Sequence, residues 1–106
     1  MEKYRGDTYR FNVSLEQDEQ AQQFKVGDIV RFGAKANTAQ TEYALYKEIT
    51  VDKETDSIEF VFSSEETSKL DVRVYQIEIE LTRDNIVETV YRDKLNVLGD
   101  VVNDKA

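Results

Sequence analysis

Residues Tyr75-Gln76-Ile77-Glu78-Ile79-Glu80-Leu81 alternate strictly, with Tyr75, Ile77, Ile79 and Leu81 apolar and Gln76, Glu78 and Glu80 polar between them. A period of two puts the apolar set on one face of a β-strand and the polar set on the other, so this strand buries one side and wets the other. The same grammar continues through the turn-like Thr82-Arg83-Asp84-Asn85 into Ile86-Val87-Glu88-Thr89-Val90-Tyr91, which predicts an antiparallel hairpin. Half-buried strands joined by hairpins are the mark of antiparallel sheets, because parallel sheets carry continuous apolar runs and need crossover helices.

Working outward, the same alternation recurs at Thr8–Leu15, with Tyr9, Phe11, Val13 and Leu15 inward, and Arg5-Gly6-Asp7 turns the chain into it. A second strand runs from Ile29 to about Ala34 after a Gly27-Asp28 turn, and Gly33 within it marks a bulge or a close approach of other atoms. Tyr43–Val51 and Ile58–Phe62 follow, read as a hairpin across Asp52–Ser57 with Phe60 and Phe62 on one face. Ser63 and Glu66 have capping-box spacing ahead of Leu70, which predicts one or two helical turns over Ser63–Leu70. Val72–Leu81 is the next strand. Its apolar phase shifts near Val74, which predicts a bulge or a change of buried face there. Ile86–Tyr91 and Lys94–Leu98 complete the set. The polar stretches Glu16–Gln23 and Lys35–Glu42 show neither period and read as loops. About seven short strands in 106 residues predict an all-β, immunoglobulin-like antiparallel β-sandwich. A small five- or six-stranded barrel is its rival. One sandwich domain is expected over residues 1–102, with a frayed tail over 103–106.

The composition narrows the chemistry. The chain has no cysteine and no histidine, which removes thiol nucleophiles, histidine bases and the usual transition-metal ligands. Proline is absent where average usage would give about five, so there is no proline-rich linker. The net charge is −8, and it is unevenly spread: residues 1–53 hold nine acids and eight bases, residues 54–106 thirteen and six. An acidic second half repels phosphate backbones and argues against a nucleic-acid reader. No long apolar run suggests a signal or a membrane span, so no membrane partner is expected.

Four motifs invite functional readings. Arg5-Gly6-Asp7 spells an integrin-binding tripeptide, yet its place before a strand makes it a turn. Asp52, Glu54 and Asp56 alternate like calcium-loop oxygens, but Ser57 and Ser63 stand where such a loop needs glycine and glutamate. Glu78 and Glu80 lie about 6.5 to 7 Å apart on one strand face, a spacing seen in carboxylate-pair hydrolases, but an open polar face gives neither a raised pKa. Tyr43 with Tyr46, or Tyr75 with Tyr91, have the makings of sugar-stacking platforms, although aromatics at such positions usually pack in cores, and that is the expectation here. No catalytic, cofactor-binding or metal-binding residue is therefore expected, and no cofactor.

The succession of phrases resembles a known group. Arg5-Gly6-Asp7-Thr8 with Phe11 and Val13, Asp28-Ile29-Val30-Arg31-Phe32, Leu45-Tyr46-Lys47, Phe60–Thr67 with Leu70, Tyr75–Leu81, Thr89-Val90-Tyr91, Lys94–Val97 and Asp100-Val101 follow one another in the order and spacing of small tailed-bacteriophage and prophage proteins. These include the amino-terminal immunoglobulin-like module of phage baseplate upper proteins. The resemblance spans nearly the whole chain. It implies a non-enzymatic virion structural module of tail, baseplate or head, made in the bacterial host cytoplasm, whose partners are other phage structural proteins or further copies of itself. An acidic DNA mimic that inhibits a host protein and a carbohydrate-binding adhesion module are the alternatives.

Overall fold

Phe32 shows how the chain closes on itself. In the computed structural model, which describes residues 1–37, 39 and 42–99, its ring lies 4.8 Å from that of Phe11, 5.5 Å from Phe60 and 5.1 Å from Phe62. Phe32 belongs to one sheet and its three partners to the other, so this aromatic cluster is the seam of a β-sandwich. The strands are β1 (Glu2–Tyr4), β2 (Tyr9–Gln17), β3 (Gln20–Gln22), β4 (Ile29–Lys35), β5 (Leu45–Thr50), β6 (Ser57–Phe62), β7 (Val74–Arg83) and β8 (Ile86–Leu98), with one short helix, α1 (Ser64–Ser68), between β6 and β7. One sheet has five strands in the order β1-β8-β7-β4-β5, the other three in the order β3-β2-β6.

The alternations read from sequence are the buried faces. Tyr9, Phe11, Val13 and Leu15 of β2 and Tyr75, Ile77, Ile79 and Leu81 of β7 are all buried, facing Val30, Phe32, Ile58, Phe60, Phe62, Leu95 and Val97. The β7–β8 hairpin is present with Asp84 and Asn85 both at positive φ, 53° and 64°, at its two-residue tip. That backbone matches the right-handed twist of the flanking strands.

The structure departs from the sequence expectation in five places. Among the described residues there are eight strands, because Glu2–Tyr4 and Gln20–Gln22 also pair, and β1 joins β8 in parallel, so the sandwich is not wholly antiparallel. Glu16–Gln23 is not a loop: it is mostly a β2–β3 hairpin turning at Asp18 and Glu19, again both at positive φ. β5 and β6 are not a hairpin. β5 pairs with β4 and β6 with β2, and residues 51–56 carry the chain from one sheet to the other. Lys47 and Ile49 alternate inward from one layer while Ile58, Phe60 and Phe62 point in from the opposite one, so the two strands face each other across the core. Ile86–Tyr91 and Lys94–Leu98 are one continuous strand. Finally, β7 does not change its buried face at Val74. It begins there, Val72 and Val74 are both exposed, and Leu70 is buried from the segment before the strand. The register shift lies further along, between Ile79 and Glu80, which pair with Tyr91 and Thr89 and leave Val90 of β8 as the extra residue. The tail expected over 103–106 lies outside the described residues.

The predicted helical turn is in place with its capping box: Ser63 Oγ accepts from the Glu66 amide at 3.1 Å and the Glu66 carboxylate accepts from the Ser63 amide at 3.1 Å. The Ser63 amide holds the Glu66 carboxyl below its ordinary range, with the nearby Lys47 ammonium adding to the effect. Thr67 is fully buried and donates to the Asp7 carbonyl at 2.6 Å, while Ser64 donates to the Gly6 carbonyl. α1 thus pins the turn between β1 and β2 and, through the 3.5 Å Lys47–Glu66 pair, the outer strand β5.

Candidate functional site

Two surfaces stand out, and both follow from where the five-stranded sheet is left uncovered. The first is a notch in its outer face. In the cross-strand row through the sheet centre, Tyr46 of β5 lies opposite Gly33 of β4, Gly33 opposite Glu78 of β7, and Glu78 opposite Arg92 of β8. Gly33 contributes no side chain, and the ring of Tyr43 lies across it: a Cβ on Gly33 would clash with Tyr43 Cε1. Gly33 is therefore the close-approach glycine of the two options the sequence offered.

Tyr43 and Tyr46 are not core residues. They are 50% and 43% exposed, with ring centroids 4.8 Å apart and planes tilted by 40°. Lys35 Nζ sits 4.6 Å from the Tyr43 centroid. Together with Arg31, Gln76, Glu78 and Glu80 these residues line a depression of about 140 Å³. Two of its charges are already matched: Arg31 pairs with Glu48 at 3.1 Å and donates to Thr82 Oγ1 at 3.0 Å, and Glu78 pairs with Arg92 at 3.2 Å. Among the described residues, the Gln76 amide, the Glu80 carboxylate and both tyrosine hydroxyls make no hydrogen bond or ion pair. Glu78 and Glu80, read as an open polar face, are half-buried walls of this notch.

The second surface is one flank of the sandwich. On the β5–β6 side the gap between sheets is sealed by α1 and by Lys47, whose ammonium lies 5.3 Å from the Phe62 centroid. On the other side it is open. β8 pairs with β1 over Asn96–Leu98, and the N-terminal ammonium of Met1 donates to the Lys94 carbonyl at 2.9 Å, so among the described residues β7 is the one strand partner of β8 from Ile86 to Asp93. Facing it, β2 pairs with β6 over Tyr9–Ser14 and with β3 over Leu15–Gln17, so among the described residues Arg10–Ser14 have a strand neighbour on one edge only. Between them lies a cleft of about 420 Å³ with Phe11, Val13, Phe32, Ile79 and Tyr91 in its walls and Lys3 at its rim. Ile86 and Val87 at the hairpin end are exposed, an apolar tip on a charged chain.

The remaining motifs take structural places. Arg5-Gly6-Asp7 forms a turn with Gly6 buried and the Gly6 and Asp7 carbonyls held by α1, not a projecting loop. Asp52, Glu54 and Asp56 lie on the crossover between sheets, where Asp56 accepts from the Gln23 amide at 3.0 Å. No group of three or more metal-binding side chains occurs among the described residues. Tyr75 is core, its hydroxyl accepting from the Asp71 amide at 2.9 Å, whereas Tyr91 is exposed and donates to Asp93 at 2.8 Å. That bond to Asp93 pushes the Tyr91 phenol up.

Sequence reading missed one buried pair. Asp28 is only 2% exposed and receives both nitrogens of Arg83, Nε at 2.8 Å and Nη2 at 2.6 Å, plus the Lys25 amide at 2.8 Å. The Arg83 guanidinium holds the Asp28 carboxyl below the usual carboxylate range, against the opposing effect of burial. Asp28 and Arg83 are 55 residues apart, and only the pairing of β4 with β7 brings them together. Among the described residues no helix is long and apolar enough to cross a membrane. No family model, curated protein or solved structure matches this chain.

Proposed function

We propose that this chain is a non-enzymatic structural module of a phage virion, in tail, baseplate or head, that works through protein–protein contacts at its open flank. The order of sequence phrases supports the phage setting. The observation that carries the docking role is β8, whose Ile86–Asp93 stretch has a strand partner on one side only among the described residues and ends in an exposed Ile86-Val87 tip. Such an edge is a template for an added strand, with backbone bonds giving affinity and side-chain pockets giving selectivity. The cleft beside it supplies those pockets through Phe11, Val13 and Ile79. Val90, the extra residue on β8, twists the edge at its middle, so a partner strand adds on one side of the bulge and indiscriminate pairing is discouraged.

The test is size-exclusion chromatography with light scattering, followed by a pull-down against the structural proteins encoded beside this chain. The expected result is a defined complex with one of them or with further copies, lost on Val87→Lys, which places a charge on an exposed edge position without touching the core. A monomer that ignores every neighbour would sink this reading. So would a metabolic operon in place of terminase, capsid or tail genes.

A further inference from the structure

The notch over Gly33 has a different chemistry from the flank. We infer that it binds a single uncharged sugar ring of a larger glycan, and this goes beyond the structural role proposed above and does not depend on it. Three observations converge. A sugar ring presents an apolar face of slightly positive C–H groups, which seats on the electron-rich face of an aromatic ring. Tyr46 offers that surface, 43% exposed and tilted at 40° to Tyr43, whose own ring lies over Gly33 with the Lys35 ammonium 4.6 Å from its centroid.

The ring's edge carries hydroxyls, each both donor and acceptor. Gln76 and Glu80, unpartnered among the described residues, line the same depression from β7, and Tyr43 and Tyr46 line it from the β5 side. A carboxylate and a carboxamide on one strand face are suited to hold neighbouring hydroxyls, since the first accepts twice and the second donates and accepts. The charges close the case for a neutral ligand. Arg31 is matched by Glu48 and Glu78 by Arg92, so the notch is left with Lys35 and Glu80, which cancel. A phosphorylated or acidic ligand finds no net positive field here, on a chain of net charge −8.

Size sets how the ligand is held. About 140 Å³ is well below the roughly 300–1,000 Å³ of pockets that enclose a small molecule. The notch therefore takes one ring, and the rest of the chain lies over the sheet. Gly33 is what makes the space: any side chain there evicts the Tyr43 ring.

The experiment is NMR titration of the isotope-labelled protein with cellohexaose, maltohexaose and chitohexaose, after a screen on an array of neutral glycans. The expected result is saturable shifts at Gly33, Tyr46, Gln76 and Glu80 with at least one of the three. Affinity then falls by about tenfold in Tyr46→Ala, which removes one stacking ring, and in Glu80→Gln, while Tyr4→Ala, an exposed tyrosine elsewhere, leaves it unchanged. Gly33→Ala gives a second route, because the clash is with the movable end of Tyr43 and the strand tolerates alanine; it is expected to stay folded and lose binding. Array silence with no shift at millimolar oligosaccharide overturns the proposal. Binding that survives both Tyr46→Ala and Gly33→Ala overturns it too. Loss of a protein partner instead of a glycan in those variants would assign the notch to protein docking.

Discussion

At the scale of single residues, Asp28 and Arg83 show how one pair fixes the turn ahead of β4. The Asp28 carboxylate accepts from the Lys25 amide within its own turn and from both Arg83 nitrogens at the end of β7, tying the loop to the sheet. Gly27, at φ +94°, makes the turn that aims Asp28 inward. Because the fold favours the charged carboxylate, the folded-state pKa lies below the unfolded one. The stabilisation is then complete above the unfolded value of about 3.9 and is lost as pH falls through the lower folded value. Asp28→Asn is expected to cost about 2 kcal/mol near neutral pH, in the range for hydrogen bonds to a charged group, since the one-third-exposed Arg83 can turn to water while the buried amide stays. Urea unfolding from neutral pH down to about pH 3 checks both claims. The native chain should lose more stability across the acid limb than the variant, and parallel curves would show that Asp28 does not carry that loss.

At the scale of elements, local signals were legible and non-local ones were not. Ser63 and Glu66 are three residues apart and satisfy each other's backbone groups, so their spacing alone predicted α1. Ser63→Ala should cost about 1 kcal/mol, read by urea titration, with faster amide hydrogen exchange at Glu66 and Thr67 reporting the frayed turn. An unchanged exchange rate there would mean that the buried Thr67, bonded to Asp7, holds the helix without its cap. The β2–β3 hairpin was hidden for the opposite reason. Its turn uses Asp18-Glu19 at positive φ where Asn-Gly or Asp-Gly is the usual mark, and both its strands are polar at the tip, so no period betrays them. The false β5–β6 hairpin came from reading adjacency in sequence as adjacency in space. Both strands were located, but alternation says which residues face the core and not from which layer. The notch followed the same division: Gly33 signalled a close approach within its strand, whereas the exposure of Tyr43 and Tyr46 depends on nothing covering that side of the sheet.

At the scale of the whole molecule, five strands facing three leave an uneven sandwich. α1 and Lys47 close one flank, and β8 overhangs the other with its first half paired on one side only. Ile86-Val87-Glu88-Thr89-Val90-Tyr91 is rich in β-branched residues, carries one charge and lacks proline, the composition of a segment that pairs with its own copies when exposed as a flat edge. What keeps it from being flat is Val90, which has no partner opposite it on β7 and so bends the strand and raises its twist. Deleting Val90 restores one-to-one pairing of Thr89 with Glu80 and Tyr91 with Ile79, both already in register, while the buried Leu95 and Val97 keep their faces. The deletion should therefore leave the fold intact by circular dichroism yet convert a bulged edge into a regular, self-pairing one. Light scattering over a range of concentrations is expected to show association of the deletion variant beyond that of the native chain, suppressed by adding Val87→Lys. If the deletion variant stays at the native size at every concentration, the bulge is not what guards this edge, and the charges of Glu88 and Arg92 become the remaining safeguard on the strand.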